Sequence, residues 1–438
     1  MITTQKLKKR DIYLNKLIGF KDTEPIKVIT GIRRCGKSSL LKLMIQFLLE
    51  QGINEEQIIN INFESHDFRK MNVDELYHYV KNKIIPHKKM YMFFDELQRI
   101  DSWEDAVNSF RVDFDCDIYI TGSNAYLLSS EYSTYLSGRC VEIKMLPLSF
   151  EEFLEFHEFK IKELTDALNK KRRVVYDKNN LQYNIEDIFN AYLRFGGMPG
   201  ISEVGLEQEK AFTLLDGVYS TVIVRDILER EKRREQQRIT DSFLLRKIVL
   251  FLADNIGNNI SISNIGNVLV NEGLLEENDR KKSPSAHTVQ AYVEALLESY
   301  FFYDIKRFDI KGKEYLRTLG KYYIVDIGLR NYLLGFRDID RGHILENIVY
   351  LELLKRGYDV SIGKIDNLEI DFIATKQDEK IYFQVTESMT NDDVRKRELT
   401  PLMNIDDNYE KIILTLDQDD FVSYKGIKCI NLIDWLID

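Results

Sequence analysis

Proline is scarce in this chain, with six in 438 residues, and no tract of low complexity interrupts it. Long disordered linkers are therefore not expected. No apolar run reaches the roughly 20 residues that a membrane-spanning helix needs. The charged start from Met1 to Arg10 is followed by no apolar segment of signal-peptide length, so a cytoplasmic location without a membrane partner is the expectation. The four cysteines (Cys35, Cys116, Cys140 and Cys429) lack metal-ligand spacing and are expected as reduced thiols. Net positive charge is also lacking. The formal charge of -10 argues against a surface coated for nucleic acid, although it leaves room for one basic face. Local basic clusters (Lys8 to Arg10, Lys170 to Arg173, Lys232 to Arg234, Arg280 to Lys282) read first as solvated faces. What is present is 44% hydrophobic and 30% charged residue content, the balance of a folded protein, in a chain long enough for roughly two to four domains.

The chemistry starts early. Ile26 to Thr30 (IKVIT) is a short β-branched run, followed by Gly31-Ile-Arg-Arg-Cys-Gly36-Lys37-Ser38 and then by the helix-like SLLKLMIQFLLEQG ending at Gly52. Strand, glycine loop and helix in that order form a cradle in which backbone N–H groups and a helix N-terminus face phosphate. ATP with Mg²⁺ is the expected ligand. Gly31, Arg34, Cys35, Gly36, Lys37, Ser38 and Ser39 are the candidate binding residues: Lys37 for the β- and γ-phosphates, Ser38 for the metal. A second apolar strand, within KMYMFFDE at Lys89 to Glu96, ends in two acids. Asp95 is expected to hold Mg²⁺ and Glu96 to polarise the attacking water. A third, Cys116 to Ile120, leads into Thr121-Gly122-Ser123-Asn124. If it lies beside the first strand in a parallel sheet, Asn124 or Thr121 can position the water; an ordinary polar turn is the alternative.

These segments carry a resemblance. GIRRCGKSSLL, FFDELQRI, ITGSNAYLLSSEYSTYLSGR and LPLSFEEF, followed by YLRFGGMPG and RDILER, resemble a prokaryotic AAA-type P-loop ATPase family with a C-terminal domain of unknown function, over essentially the whole chain. The resemblance implies that Arg139, in SGR, completes the site of a neighbouring copy in a homo-oligomer. The competing reading is a structural surface arginine. It also implies that residues 151–237 form a helical lid, in keeping with Phe150, Phe153, Leu154 and Phe156 in one segment and Ile188, Ala191, Tyr192 and Phe195 in another. The Phe195-Gly-Gly-Met-Pro-Gly200 break either approaches nucleotide or simply turns between helices.

Downstream, Phe243 to Ala253, a segment capped by Ser263 that ends near Gly273, and a third opening at Ser283-Pro284 read as three short helices. A hairpin, Phe301 to Phe308 and Glu314 to Val325, follows. The order suggests a winged helix over 238–334. Ser285, His287 and Gln290 lie off its apolar face and are free either for DNA or for solvent. From 335 to 438, a helix at Ile344 to Lys355 and strands near Asp359 to Ile362, Leu368 to Thr375, Lys380 to Thr386 and Lys411 to Leu416 fit a restriction-endonuclease-like core. Glu346, Glu369 and Asp371 are candidate metal ligands, but buried or paired carboxylates are the reading placed first. The acid-x-lysine such a core needs is replaced by Gln384-Val385-Thr386, so nuclease activity is not expected.

The expected fold class is thus α/β: a P-loop NTPase parallel sheet (1–150) with a helical lid, a winged-helix domain and a C-terminal α/β restriction-endonuclease-like domain. The expected function is an ATP-hydrolysing switch that rearranges its winged-helix and C-terminal domains and acts on an unknown protein partner. The alternatives are a DNA-directed ATPase of a defence or mobile-element system and a slow-turnover nucleotide-dependent scaffold.

Overall fold

A computed structural model describes residues 7–123, 138–165, 171–229, 239–271, 284–337, 340–418 and 423–438. The chain divides into two compact units, residues 1–145 with 298–300, and residues 146–297 with 301–438. The expected segments 151–237 and 335–438 lie within the second, as does 238–334 apart from residues 298–300.

The first unit is built on five parallel strands in the order β2-β3-β4-β1-β5. Their ranges are β1 Ile26–Thr30, β2 Ile58–Asn62, β3 Met90–Asp95, β4 Cys116–Gly122 and β5 Cys140–Lys144. Every residue of β1 and β3 is buried, as expected for strands covered on both faces, which read as unbroken apolar runs. Val28, Ile61, Phe94 and Ile120 share one core with Phe110 of the helix Trp103–Asp113. The helix Lys37–Glu50 buries Leu40, Leu41, Leu43, Met44 and Leu48. Lys27, within this sheet, is fully buried. It is tolerated because its ammonium pairs with Asp117 and donates to the Thr23 carbonyl at 2.8 Å. The third strand does lie beside the first: β4 pairs with both β1 and β3.

In the second unit, the stretch expected to be helical throughout contains a three-stranded antiparallel sheet: β6 Lys160–Thr165, β7 Lys171–Tyr176 and β8 Gln182–Asn184. The flanking helices are as expected. Phe150–Phe156 opens on a Ser149/Glu152 capping box, and Ile185–Phe195 buries Ile188, Tyr192 and Phe195. The helices Ser242–Asp254, Ile262–Asn271 and Ala286–Glu298 follow. The last begins two residues later than the Ser-Pro signal suggested, with Ser285 Oγ accepting from Thr288 N at 3.1 Å. Ser283 lies outside the described residues.

The hairpin is present as β9 Phe302–Asp309 and β10 Glu314–Ile324. It does not stand apart as a wing. The remaining strands are β11 Asp359–Ile365, β12 Leu368–Lys376, β13 Glu379–Thr386, β14 Glu410–Thr415, β15 Ser423–Tyr424 and β16 Ile427–Asn431. Strand β9 pairs in parallel with β11, so the hairpin forms one end of an eight-stranded sheet, β10-β9-β11-β12-β13-β14-β16-β15. The expected boundary near 334 therefore falls inside one continuous hydrogen-bonded sheet. Among the described residues, no helix is long and apolar enough to cross a membrane, and the four cysteines are free.

Candidate functional site

The loop after β1 has the backbone that phosphate binding needs. Gly31 (φ 137°), Arg34 (φ 65°) and Gly36 (φ 109°) all adopt positive φ, and Gly36 sits at the N-terminus of Lys37–Glu50. A Cβ on Gly31 would lie 2.1 Å from the Met145 carbonyl oxygen, so only glycine fits there. Lys37 is 4% exposed, and its Nζ donates to the carbonyls of Gly31 (2.9 Å) and Ile32 (3.1 Å), which places the ammonium in the hollow of the loop. Cys35 is buried. Ser38 is half-buried, while Arg34 and Ser39 are exposed.

The two acids at the end of β3 are held by neutral donors. Thr121 Oγ1 donates to Asp95 Oδ1 at 2.5 Å, and Asn62 Nδ2 donates to Asp95 Oδ2 at 3.0 Å. Glu96, at φ 59°, accepts from Gln98 Nε2 at 2.6 Å and from Ser123 Oγ at 3.3 Å. Its own N–H donates to Thr121 Oγ1 at 3.0 Å. The Thr121 hydroxyl is thus committed to fixing both acids. Asn124, the other residue considered for water, lies outside the described residues. Arg139 is exposed ahead of β5, and its carbonyl accepts from Ile26 N at 2.8 Å.

Two contributors escaped the sequence reading. Asn62, at the end of β2, had no local signal. Arg10 read as part of a solvated basic run, yet it is 4% exposed, lies 4.6 Å over the Tyr13 ring and donates to the Cys35 carbonyl of the loop at 3.1 Å. Its signal was position alone, at the entry to the helix Asp11–Gly19.

In the second unit, the glycines of FGGMPG make room for the buried Asp326. A Cβ on Gly196 would come within 2.3 Å of Asp326 Oδ1, and one on Gly197 within 2.1 Å of the Leu148 carbonyl. Asp326 accepts from the N–H groups of Gly197 (2.6 Å) and Leu329 (3.0 Å). Burial pushes its carboxyl up to about 6 despite these donors. Of the two readings of that break, packing between helices is the one these contacts support. Ser285 serves as a helix cap, Gln290 bonds Glu294 at 2.9 Å, and His287 is exposed. Glu346, Glu369 and Asp371 do gather, around a lysine that the sequence pattern did not anticipate, Lys321.

Sheet order, glycine loop and acid pair together define an AAA-type P-loop ATPase domain. Residues 23–154 match the family model described as an AAA domain, and 186–340 match a domain of unknown function. The chain belongs to the same family as two relatives matched over most of their length. One is an uncharacterized protein of Haemophilus influenzae, 38% identical over 98% of each chain. The other is the uncharacterized protein MJ1544 of Methanocaldococcus jannaschii, 32% identical over 94% of this chain and 83% of that one. Among solved structures it is similar to the Walker-type ATPase PABY2304 of Pyrococcus abyssi, with a TM-score of 0.47 and 18% identity over 74% of this chain and 95% of that one.

Proposed function

We propose that the protein is an ATP-driven molecular switch that binds Mg-ATP in the first unit and uses its hydrolysis to change the arrangement of the second. The observation that carries this reading is the acid pair, Asp95 and Glu96, fixed by Thr121 at a strand end in the same parallel sheet as the Gly31–Ser38 loop. The donor set fits the ligand: the positive-φ loop and Lys37 for phosphate oxygens, Ser38 and Asp95 for Mg²⁺. The metal, when bound, would neutralise charge on the transferring phosphoryl group. Glu96 would orient and polarise the attacking water, and Gln98 and Ser123 would keep its carboxylate in place.

The switching part of the reading rests on where the chain leaves the first unit. It departs after Met145, whose N–H donates to Thr30 O at 2.8 Å and whose carbonyl closes over Gly31. It returns for residues 298–300, where Tyr300 donates to Glu142 Oε1 at 3.2 Å; the same oxygen accepts from Thr30 Oγ1 at 2.5 Å. Both exits therefore touch the residue that leads into the phosphate loop. The test is ATP hydrolysis and binding by wild type, Lys37→Ala and Glu96→Gln, with and without duplex or single-stranded DNA. Lys37→Ala should lose binding. Glu96→Gln should bind normally and turn over at least about a hundredfold more slowly. Equal loss of binding in both would undo the assignment, and strong stimulation by DNA would replace the switch with a DNA-directed ATPase.

Arg139 is assigned to the site of a neighbouring copy. Arg139→Ala mixed with Glu96→Gln should recover activity above the sum of the two alone, and strictly additive rates would remove a shared site.

A further inference from the structure

Glu346, Glu369 and Asp371 stand where the sequence pattern placed the divalent cation of a nuclease-like core, so their surroundings can be tested against that ion. They do not fit it. Lys321, on β10, brings its Nζ to 2.8 Å from Glu369 Oε1 and 3.4 Å from Glu346 Oε2. Arg307, on β9, lies 3.9 Å from Glu369 Oε2, which also accepts from Asn259 Nδ2 at 2.9 Å. Glu346 Oε2 accepts from Tyr323 OH at 3.0 Å, and His343 Nδ1 lies 3.4 Å from its Oε1. Asp371 Oδ2 accepts from Val385 N at 2.8 Å. Most of the carboxylate oxygens already have a donor, and two cations, Lys321 and Arg307, stand against them.

The positions expected to supply the missing acid and lysine do other work. Gln384 Oε1 lies 3.5 Å from Asp371 N, and Thr386 Oγ1 lies 3.5 Å from the Ser388 carbonyl. Among the described residues, no group of three or more His, Cys, Asp or Glu side chains is arranged to hold a metal.

We propose that Lys321 is the permanent cation of this cluster, its ammonium taking the place a divalent ion would need, so that an internal ion pair binds hairpin, helix and sheet together and excludes metal. The electrostatics agree with this geometry. Burial acts to lower Lys321, but the carboxylates of Glu346, Asp371 and Glu369 outweigh it and raise the group, keeping it charged. Burial acts to raise Glu346, and Lys321 with His343 reverses this. Asp371 is pushed well up, by burial first and then by the Glu346 charge. Two cations, Lys321 and Arg307, face the carboxylates of Glu346 and Glu369. A divalent ion entering this arrangement would meet like charge at a few ångströms in a buried setting, where Coulomb repulsion is large. Lys321 also joins three elements that are remote in sequence: β10, the helix Arg341–Lys355 and β12. The expected lysine was sought two residues beyond an acid on β13, which is why sequence spacing did not find it.

The test is metal rescue. The full chain is used without nucleotide and with Asp95→Asn throughout, so that the phosphate-loop site contributes no manganese binding. Thermal unfolding is followed against manganese(II) chloride for this parent, for Lys321→Met, and for Lys321→Gln as a second variant that keeps a neutral donor. The parent Tm should not move with manganese. Either lysine variant should unfold at lower temperature without metal and recover with it, binding manganese at least about tenfold more tightly than the parent. Adding Asp371→Asn should abolish the recovery. If manganese raises the parent Tm and Asp371→Asn removes that rise, the cluster is a metal site and the proposal fails. It also fails if neither lysine variant is rescued.

Discussion

Thr121 offers the most demanding test of the proposed ATPase site, because one hydroxyl serves both acids. It donates to Asp95 Oδ1 at 2.5 Å and accepts the Glu96 N–H at 3.0 Å, in a side chain with no solvent exposure. Thr121→Val keeps the shape and removes both bonds. A hydrogen bond to a charged group contributes about 1.5–3 kcal/mol, and a buried N–H left unpaired costs about 1–3 kcal/mol, so a stability loss of about 3 kcal/mol is expected. The larger effect should be on turnover. With Asp95 freed from one of its two neutral anchors and Glu96 from its backbone tie, displacement by about an ångström is enough to cost roughly a hundredfold. The expected outcome is kcat lower by about 30- to 100-fold with the KM for ATP within about threefold of wild type, because the phosphate cradle is untouched. Thr121→Ser should restore most of the rate. Steady-state phosphate release is measured beside thermal unfolding of the same preparations. A folded Thr121→Val protein with wild-type kcat would refute the argument that this hydroxyl organises the acids.

Two further predictions concern the second unit. Gly197→Ala puts a Cβ 2.1 Å from the Leu148 carbonyl, in a backbone pair locked by the Leu148 N–H to Gly197 O bond of 2.7 Å. Urea unfolding should show a loss of at least about 3 kcal/mol, and an unchanged midpoint would mean that the backbone yields easily. Asp326 has a folded-state pKa of about 6 against 3.8 for the free group. The folded state therefore binds the proton more tightly, and this group's contribution is fully present below about pH 4 and lost as pH rises through about 6. The shift corresponds to about 3 kcal/mol. The difference in unfolding free energy between wild type and Asp326→Asn, followed from pH 4 to 7, isolates that slope from other groups. A flat difference would show that the backbone donors fully offset burial.

The parts of the molecule that could be read from sequence are those whose signal is contiguous. The strand-loop-helix from Ile26 to Glu50 has its β-branched run, its two constrained glycines and its apolar helix within 25 neighbouring residues, and it appears where expected. The hairpin and strands β11 to β13 could also be read, because Ile, Val and Phe mark their buried positions. Strand β6 could not: KIKELT has no buried residue, so no period-2 pattern was written into it. The pairing of β9 with β11 was equally out of reach, since Arg307 opposite Ile362 is a contact made only once the sheet exists. The same holds for the site. Lys37, Asp95 and Glu96 announce themselves by motif. Asn62 and Arg10 become relevant only when strands and loops far apart in sequence converge.

The two acid clusters show how surroundings decide what a carboxylate can do. Asp95 is 5% exposed and Asp371 is 7% exposed, so burial alone does not distinguish them. Their donors do. Asp95 is held by the hydroxyl of Thr121 and the amide of Asn62, groups that orient the carboxylate but leave its charge uncompensated. A dication arriving with a nucleotide would supply that missing charge. Around Asp371 the charge of the cluster is already met, by Lys321 against Glu346 and Glu369 and by Arg307 against Glu369. Removing one partner of such a buried pair costs several kcal/mol, whereas a neutral donor is lost at the cost of its hydrogen bonds alone. On the proposed reading, the first cluster would gain and release an ion during a catalytic cycle. The second is closed, and its acids contribute to holding the sheet together.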